Sequence, residues 1–362
     1  MTSIDLNPKL SKGNTARVLS SWSVGLHQLL KNYSSIFFIE GPGLPIIVGI
    51  VTFLHPTIGT MGLLSLLLGS LLLMVFQNRD PVFSSAVLLN SLLLGLLVGD
   101  LYVLSWGSVL LLSIVILMNL MICAALSTAL RSLQLPLLSL PFSLVALFMG
   151  FLHFRLPHLA DNRIYFSPLV PSSILDFVPT AAQAFFTSLA SIFCMPDVFL
   201  GLLLFLAVLL YSPLTSVFLL VGYGLGSFFE SFFQAGPNLN FRSIEGFNYS
   251  LVFTSLAGYF LVPSPFSLMV ATLATLLTSF VLVGIEALFQ NSSLSVMAIP
   301  FNVIVPITLL ALRTLAPFRL ALSFFPTPEQ SFDRARLLWR RHRFGEPGLF
   351  LPVQGRWLIQ QG

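Results

Sequence analysis

Between Gly41 and Arg155 the chain carries only five charged side chains, Arg79, Asp80, Asp100, Arg131 and Arg155, and that scarcity rules out a water-facing surface. Over the whole chain 8% of residues are charged and 56% hydrophobic, against roughly 25% charged in a soluble domain. Most side chains must therefore face lipid or one another. Windows of about 20 apolar residues suffice to span a bilayer, several fit in the first half alone, and the sequence reads as a multi-pass, all-α integral membrane protein of the inner cell membrane.

Residues 1–17 lack the short apolar core and small-residue cleavage site of a secretory signal and read as a retained cytoplasmic segment. Lys9, Lys12 and Arg17 there, and the arginines of RARLLWRRHRFG (334–345), place both ends on the cytoplasmic face or against anionic lipid in preference to nucleic acid. An even number of spans follows. Cys123 and Cys194 lie far apart in apolar runs and read as small buried hydrophobes, with no disulfide, metal or cofactor required.

The chain also resembles itself. NYSSIFF (32–38) aligns with SLASIFC (188–194) at an offset of 156, and LGS (68–70) with LGS (225–227) at 157. LLNSLLLGLLVG (88–99) aligns with FNYSLVFTSLAG (247–258), and LPLLSLPF (135–142) with LSVMAIPF (294–301), both at 159. A slowly drifting offset marks a duplication. The organisation expected is a first membrane repeat over 18–155, a linker over 156–173, a second repeat over 174–318 and a basic tail over 319–362. Spans are expected near 18–38, 43–55, 57–77, 101–131 and 136–154, then near 174–194, 198–211, 213–233, 264–290 and 296–316. Shorter pieces are expected at 80–98, opened by Asp80-Pro81, and at 240–258. Five spans per half invert the second copy relative to the first, which places a site near the midplane between them.

The proline motif has a use in that setting. Pro136 and Pro141, with Pro300 in the twin, remove backbone donors at helix starts. Non-helical backbone is tolerated at membrane depth where its carbonyls line a cavity. On spacing alone, two broken helix starts meeting at a pore and two ordinary proline-kinked helices both fit.

The motifs resemble those of the urea transporter family. That family's signature Leu-Pro-x-x-Thr-x-Pro-Phe, once per half, is similar to LPLLSLPF with Ser139 at the threonine position and Pro141-Phe142 at its end. The second copy keeps Leu294, Pro300 and Phe301 but has Ser295 and Ala298 for the proline and threonine. The family's Gly-Phe-Asn at the tip of each re-entrant helix resembles Gly246-Phe247-Asn248, and in the first half Leu88-Leu89-Asn90. A Gln-Val-Phe-Phe run before Asn-Pro resembles Ser35-Ile36-Phe37-Phe38 with Gly41-Pro42, and Ser191-Ile192-Phe193-Cys194 with Pro196. The likeness covers about residues 18–318.

The resemblance implies two inverted five-helix repeats, each with a re-entrant helix, around a central pore, assembled as a homotrimer in the bilayer. The cargo implied is urea or a similar small neutral amide, moved passively through a slot that stacks the planar molecule between apolar side chains beside a ladder of oxygen acceptors. A molecule stripped of water needs its hydrogen bonds replaced, and conduction needs binding weak enough for release. Carried over by position, Phe247 and Leu89 would form constrictions, Phe37 and Phe193 further faces, and Ser139 an edge hydroxyl. Ser35 and Ser191 stand where the family has glutamine, and Ala298 where it has a second ladder hydroxyl. Asn90 and Asn248 would lock the re-entrant tips, because a buried amide must be satisfied. These departures make the slot less symmetric and poorer in hydrogen bonds.

Other mechanisms have weaker support. No nucleotide-binding GxxxxGKS loop is present, so ATP-driven pumping is not expected. A proton- or ion-coupled transporter of another small amide is the alternative, and it would use intramembrane carboxylates or histidines. The candidates are Asp100, Glu230, Glu286, His55 and His153, whose counterparts for the first four are Tyr259, Leu73, Ser127 and Ser212, so no symmetric charged site is expected. The tail Leu351 to Gly362 resembles the opening of lysostaphin-type zinc endopeptidases, and some bacterial urea-transporter homologues resemble fusions to such a domain. None of that domain's metal-ligand pairs is present and no hydrolase activity is expected. An extracytoplasmic peptidase would conflict with the sidedness argued from the arginines. Of two glycosylation-type triplets, Asn248-Tyr249-Ser250 is expected to be buried and Asn291-Ser292-Ser293 incidental.

Overall fold

The computed structural model describes residues 30–39, 43–78, 80–153, 155–156, 177–233, 244–289, 296–315 and 327–333. The N-terminal segment, the linker, the tail beyond 333, Gly41-Pro42 and the start of the second proline motif lie outside the described residues. Helices dominate: α1 (Leu44–Phe53), α2 (Pro56–Val75), α3 (Pro81–Leu101), α4 (Trp106–Ser132) and α5 (Leu140–His153), then α6 (Thr180–Ser191), α7 (Val198–Tyr211), α8 (Pro213–Phe233), α9 (Phe247–Thr254), α10 (Pro265–Phe289) and α11 (Ile299–Leu315). Five of them, α2, α3, α4, α8 and α10, are long and apolar enough to cross a membrane.

Helix starts follow local chemistry. Proline opens α2, α3, α8 and α10, where its missing N–H would be unpaired anyway. Asp80 caps α3 by accepting from the Val82 and Phe83 N–H groups at 3.0 and 3.2 Å, and Asp197 caps α7 through Phe199 and Leu200 at 2.8 and 3.0 Å. Ser105 and Ser108 form a reciprocal pair at the start of α4. Ser264 and Ser267 make the same reciprocal pair at the start of α10.

Lipid-facing sides are recognisable by what they expose. Leu110, Ile114, Leu117 and Met121 on α4, and Met269, Leu273, Leu277 and Phe280 on α10, stand out at helical spacing. Such apolar stripes are stable only in a bilayer. The core instead surrounds α3 and α9. Residues Val87 to Gly99 of α3 are buried except Leu89, and every residue from Phe247 to Gly258 is buried.

Each of these inner helices lies close against a neighbour through small residues. A side chain at Gly95 of α3 would collide with Ser65 of α2, and one at Gly222 of α8 would collide with Phe253 of α9. The same contact is made in both halves with the glycine on opposite partners. After Thr254, α9 continues as a wider π-helical turn, Ser255–Tyr259.

Several expectations need revision. Asn90 lies in the interior of α3, not at a helix tip, because Leu88-Leu89 continues a strong helix started by Asp80, whereas Gly246 starts a new one at Phe247. The piece opened by Asp80-Pro81 is therefore a full-length helix. The helix expected from 136 begins at Leu140, with Pro136 in the extended stretch before it and Pro141 in its first turn. Pro300 is likewise the second residue of α11. Pro141 and Pro300 stand in the first turns of helices instead of breaking them, and Pro136 precedes its helix. Among the described residues the one mid-helix proline is Pro306.

Candidate functional site

The approach to each proline-started helix passes through a left-handed residue, Leu138 at φ 51° and Met297 at φ 50°. Neither is glycine, so each conformation is strained and needs external support. Two asparagines supply it. Asn90 donates to the Leu138 carbonyl at 3.0 Å and accepts from Phe142 N–H at 2.9 Å. Asn248 donates to the Met297 carbonyl at 2.9 Å and accepts from Phe301 N–H at 3.2 Å. Each amide spends its second N–H on its own chain, at Ala86 O and Glu245 O. Asn248 is fully buried with both ends engaged, which leaves no room for a glycan.

Between the supported segments lies a cavity of about 110 Å³. Its lining comes in pairs from the two halves: Ser35 with Ser191, Ile36 with Ile192, Leu89 with Phe247. Leu93 and Leu251, Leu138 and Met297, Ser139 and Ala298, and Phe142 and Phe301 continue the series. Phe38 and Cys194 complete it, with Ile244 added from one half only. The walls are thus apolar, with three serine hydroxyls as the polar side-chain groups among the described lining residues. No carboxylate or histidine is among them, and Asp100, Glu230, Glu286, His55 and His153 lie elsewhere.

The structure brings Leu89, Phe247, Ser139, Ala298, Ser35, Ser191, Phe142 and Phe301 to this one space. Phe37 and Phe193 do not reach it. Both are buried and lie against each other, ring centroids 5.8 Å apart. The cause is backbone: Phe38 and Cys194 are left-handed, each at φ 58°, and the turn aims these residues, not their predecessors, at the cavity. Phe38 is held there by Tyr259 at 4.6 Å, Phe260 at 6.1 Å and Phe301 at 6.3 Å between centroids. Pro136, Pro141, Pro300, Asn90 and Asn248 are not among the lining residues.

Sequence reasoning also missed Asn302. Its Oδ1 accepts from Ser139 N–H at 3.1 Å, and its Nδ2 lies 2.9 Å from both Ser143 Oγ and Ala298 O. It joins α11 to the start of α5 across the junction of the halves. The available signal was an amide in the apolar run Pro300 to Val305 at the place where the first half has Ser143.

A helical protein clad in apolar side chains, with a small uncharged cavity where two similar halves meet, is by class a membrane transporter of small solutes. The chain belongs to the urea transporter family, whose model matches residues 26–313. Comparison with curated proteins gives no match. Its function is accordingly urea transport across the membrane.

Proposed function

We propose that urea passes through this cavity passively, as through a channel, stacked between the paired apolar walls while its N–H edge meets serine and backbone oxygens. The observation that carries the reading is the lining itself: aromatic or aliphatic side chains from equivalent positions of both halves, with three serines among them. Urea is planar and neutral and needs no counter-charge. Burying it against an apolar wall without replacing its hydrogen bonds would cost several kcal/mol.

The same reading takes the two halves as inverted copies. In its support, His153 at the end of α5 lies against Tyr102 at the end of α3, with ring centroids 5.5 Å apart, whereas Arg313 in the last turn of α11 donates to the Leu133 and Gln134 carbonyls just past α4. These places sit at opposite ends of α4, a 27-residue helix about 40 Å long. From the shared cavity, α5 and α11 thus head for opposite surfaces. Assembly as a homotrimer, with a pore in each protomer, is part of the reading.

Stopped-flow light scattering on proteoliposomes, with urea, methylurea, acetamide and glycerol and no ion gradient, tests it. Rapid urea flux that falls toward that of protein-free vesicles in Leu89→Trp or Phe247→Trp supports the slot. Urea flux equal to that of empty vesicles, or flux that requires a proton gradient, overturns it.

A further inference from the structure

The cavity's three hydroxyls differ in what they can offer a solute, and the difference lies in where each proton goes. Ser35 Oγ donates to Asn32 O at 2.9 Å and Ser191 Oγ donates to Thr187 O at 2.8 Å, both one helical turn back. Their protons are spent on the backbone, so neither hydroxyl donates to the cavity. Ser139 is not within a helix and has no such carbonyl. Its partner is Asn302, which is 3% exposed.

The orientation of that amide is settled by groups that have only one role. Ser139 N–H can only donate, and it lies 3.1 Å from Asn302 Oδ1. Ala298 C=O can only accept, and it lies 2.9 Å from Asn302 Nδ2. A flipped amide would face like against like at both places. The remaining Nδ2 hydrogen has two acceptors in reach, Ser143 Oγ at 2.9 Å and Ser139 Oγ at 3.1 Å. Given to the shorter contact, it leaves the Ser139 hydroxyl proton for Oδ1. Ser139 Oγ, 3.3 Å from Oδ1, then donates its proton to Asn302, and every hydrogen-bonding position of the buried amide is filled.

We propose that Asn302 is a specificity-determining positioning residue: it holds the Ser139 hydroxyl proton, so that Ser139 meets the cavity as an acceptor and the site selects solutes whose edge carries N–H donors. Residue 298, which has no hydroxyl of its own, contributes its carbonyl to fix Asn302. One half thereby supplies the oxygen that lines the cavity and the other supplies the group that orients it. Asn302 does not line the cavity and acts through Ser139. The inference rests on the passive-slot reading above.

The test is the ratio of urea to acetamide flux in proteoliposomes, because the two solutes are similar in shape and acetamide has a methyl group in place of one NH2. Ser143→Ala removes the competing acceptor, so Nδ2 turns to Ser139 Oγ and releases the serine proton toward the cavity. It deletes one buried oxygen and is the variant that leaves packing closest to native. The ratio is expected to fall about three- to tenfold, the worth of one hydrogen bond, in Ser143→Ala, in Asn302→Leu and in Ser139→Ala. The Ser139→Ala/Asn302→Leu double variant should fall no further than Ser139→Ala alone. An unchanged ratio in Ser143→Ala, or equal losses of both fluxes, overturns the role of Asn302 while wild-type urea flux leaves the slot standing. Absence of wild-type urea flux overturns the slot, and this inference with it.

Discussion

Tyr249 Oη donates to the fully buried Glu230 Oε2 at 2.7 Å, tying the first turn of α9, two residues from Phe247, to the last turn of the membrane-spanning α8. The ring fits because residue 226 on α8 is glycine, where any side chain would collide with it. A buried carboxylate that loses a donor bears a desolvation penalty. Tyr249→Phe is expected to lower stability by about 1–3 kcal/mol, read as a fall in the melting temperature of the detergent-solubilised protein, and Gly226→Leu to prevent accumulation of folded protein.

The two asparagine supports predict matched losses. Asn90→Leu leaves the Leu138 carbonyl and Phe142 N–H without their partner, and Asn248→Leu does the same to Met297 and Phe301. Each should cost about 1–3 kcal/mol and lower urea flux, since the left-handed residues they steady carry cavity walls. Thermal unfolding and vesicle flux, measured on the same preparations, check both.

The two thiols should separate cleanly. Cys194 lines the cavity, while Cys123 is fully buried on α4 beside Asn119. A small organomercurial is expected to slow urea flux in the wild type and in Cys123→Ser, and to leave Cys194→Ser unaffected. Loss of sensitivity in Cys123→Ser instead would place the reactive thiol outside the cavity.

At the rim, Asp80 pairs with Arg131 and caps α3. Partial burial raises the Asp80 carboxyl's pKa, but the Arg131 hydrogen bond and charge, with the Phe83 and Val82 N–H groups, outweigh it and hold the group below the usual carboxylate range. A carboxyl depressed by folding stabilises above its unfolded pKa, and that contribution is lost as pH falls through the folded one. Asp80→Ala should cost about 1 kcal/mol at neutral pH, mostly the cap. The ion pair is exposed and adds less. The wild-type advantage should begin to shrink at about pH 4 and vanish as pH falls through the lower folded pKa, where the unfolding temperatures of the two proteins converge.

Much of the site was legible because duplication makes equivalent positions visible. Ser139 and Ala298, and Ser35 and Ser191, pair at the offsets of 159 and 156 read from the repeats, whereas Leu89 and Phe247 pair at 158, one residue from the 159 read for that segment, and all three pairs line the cavity. Helix interiors were read less well at their ends. Leu88-Leu89 and Gly246-Phe247 look like versions of one motif, yet only the glycine begins a helix there. Phe37 and Phe193 were misplaced by one residue because a left-handed turn reverses which neighbour faces inward, and no periodic pattern carries that information.

The sequence by itself determined the helical, membrane-spanning class and the pairs of related motifs, because charge content, apolar run length and internal repetition are read directly along the chain. Tertiary structure alone decided that Phe38 and Cys194 face the cavity, that Asn90 and Asn248 support the strained residues, and that Asn302 reaches Ser139 from the other half. The asparagine contacts depend on hydrogen bonds between residues up to 163 positions apart, where the need to satisfy each buried polar group selects one partner among many that the chain could offer.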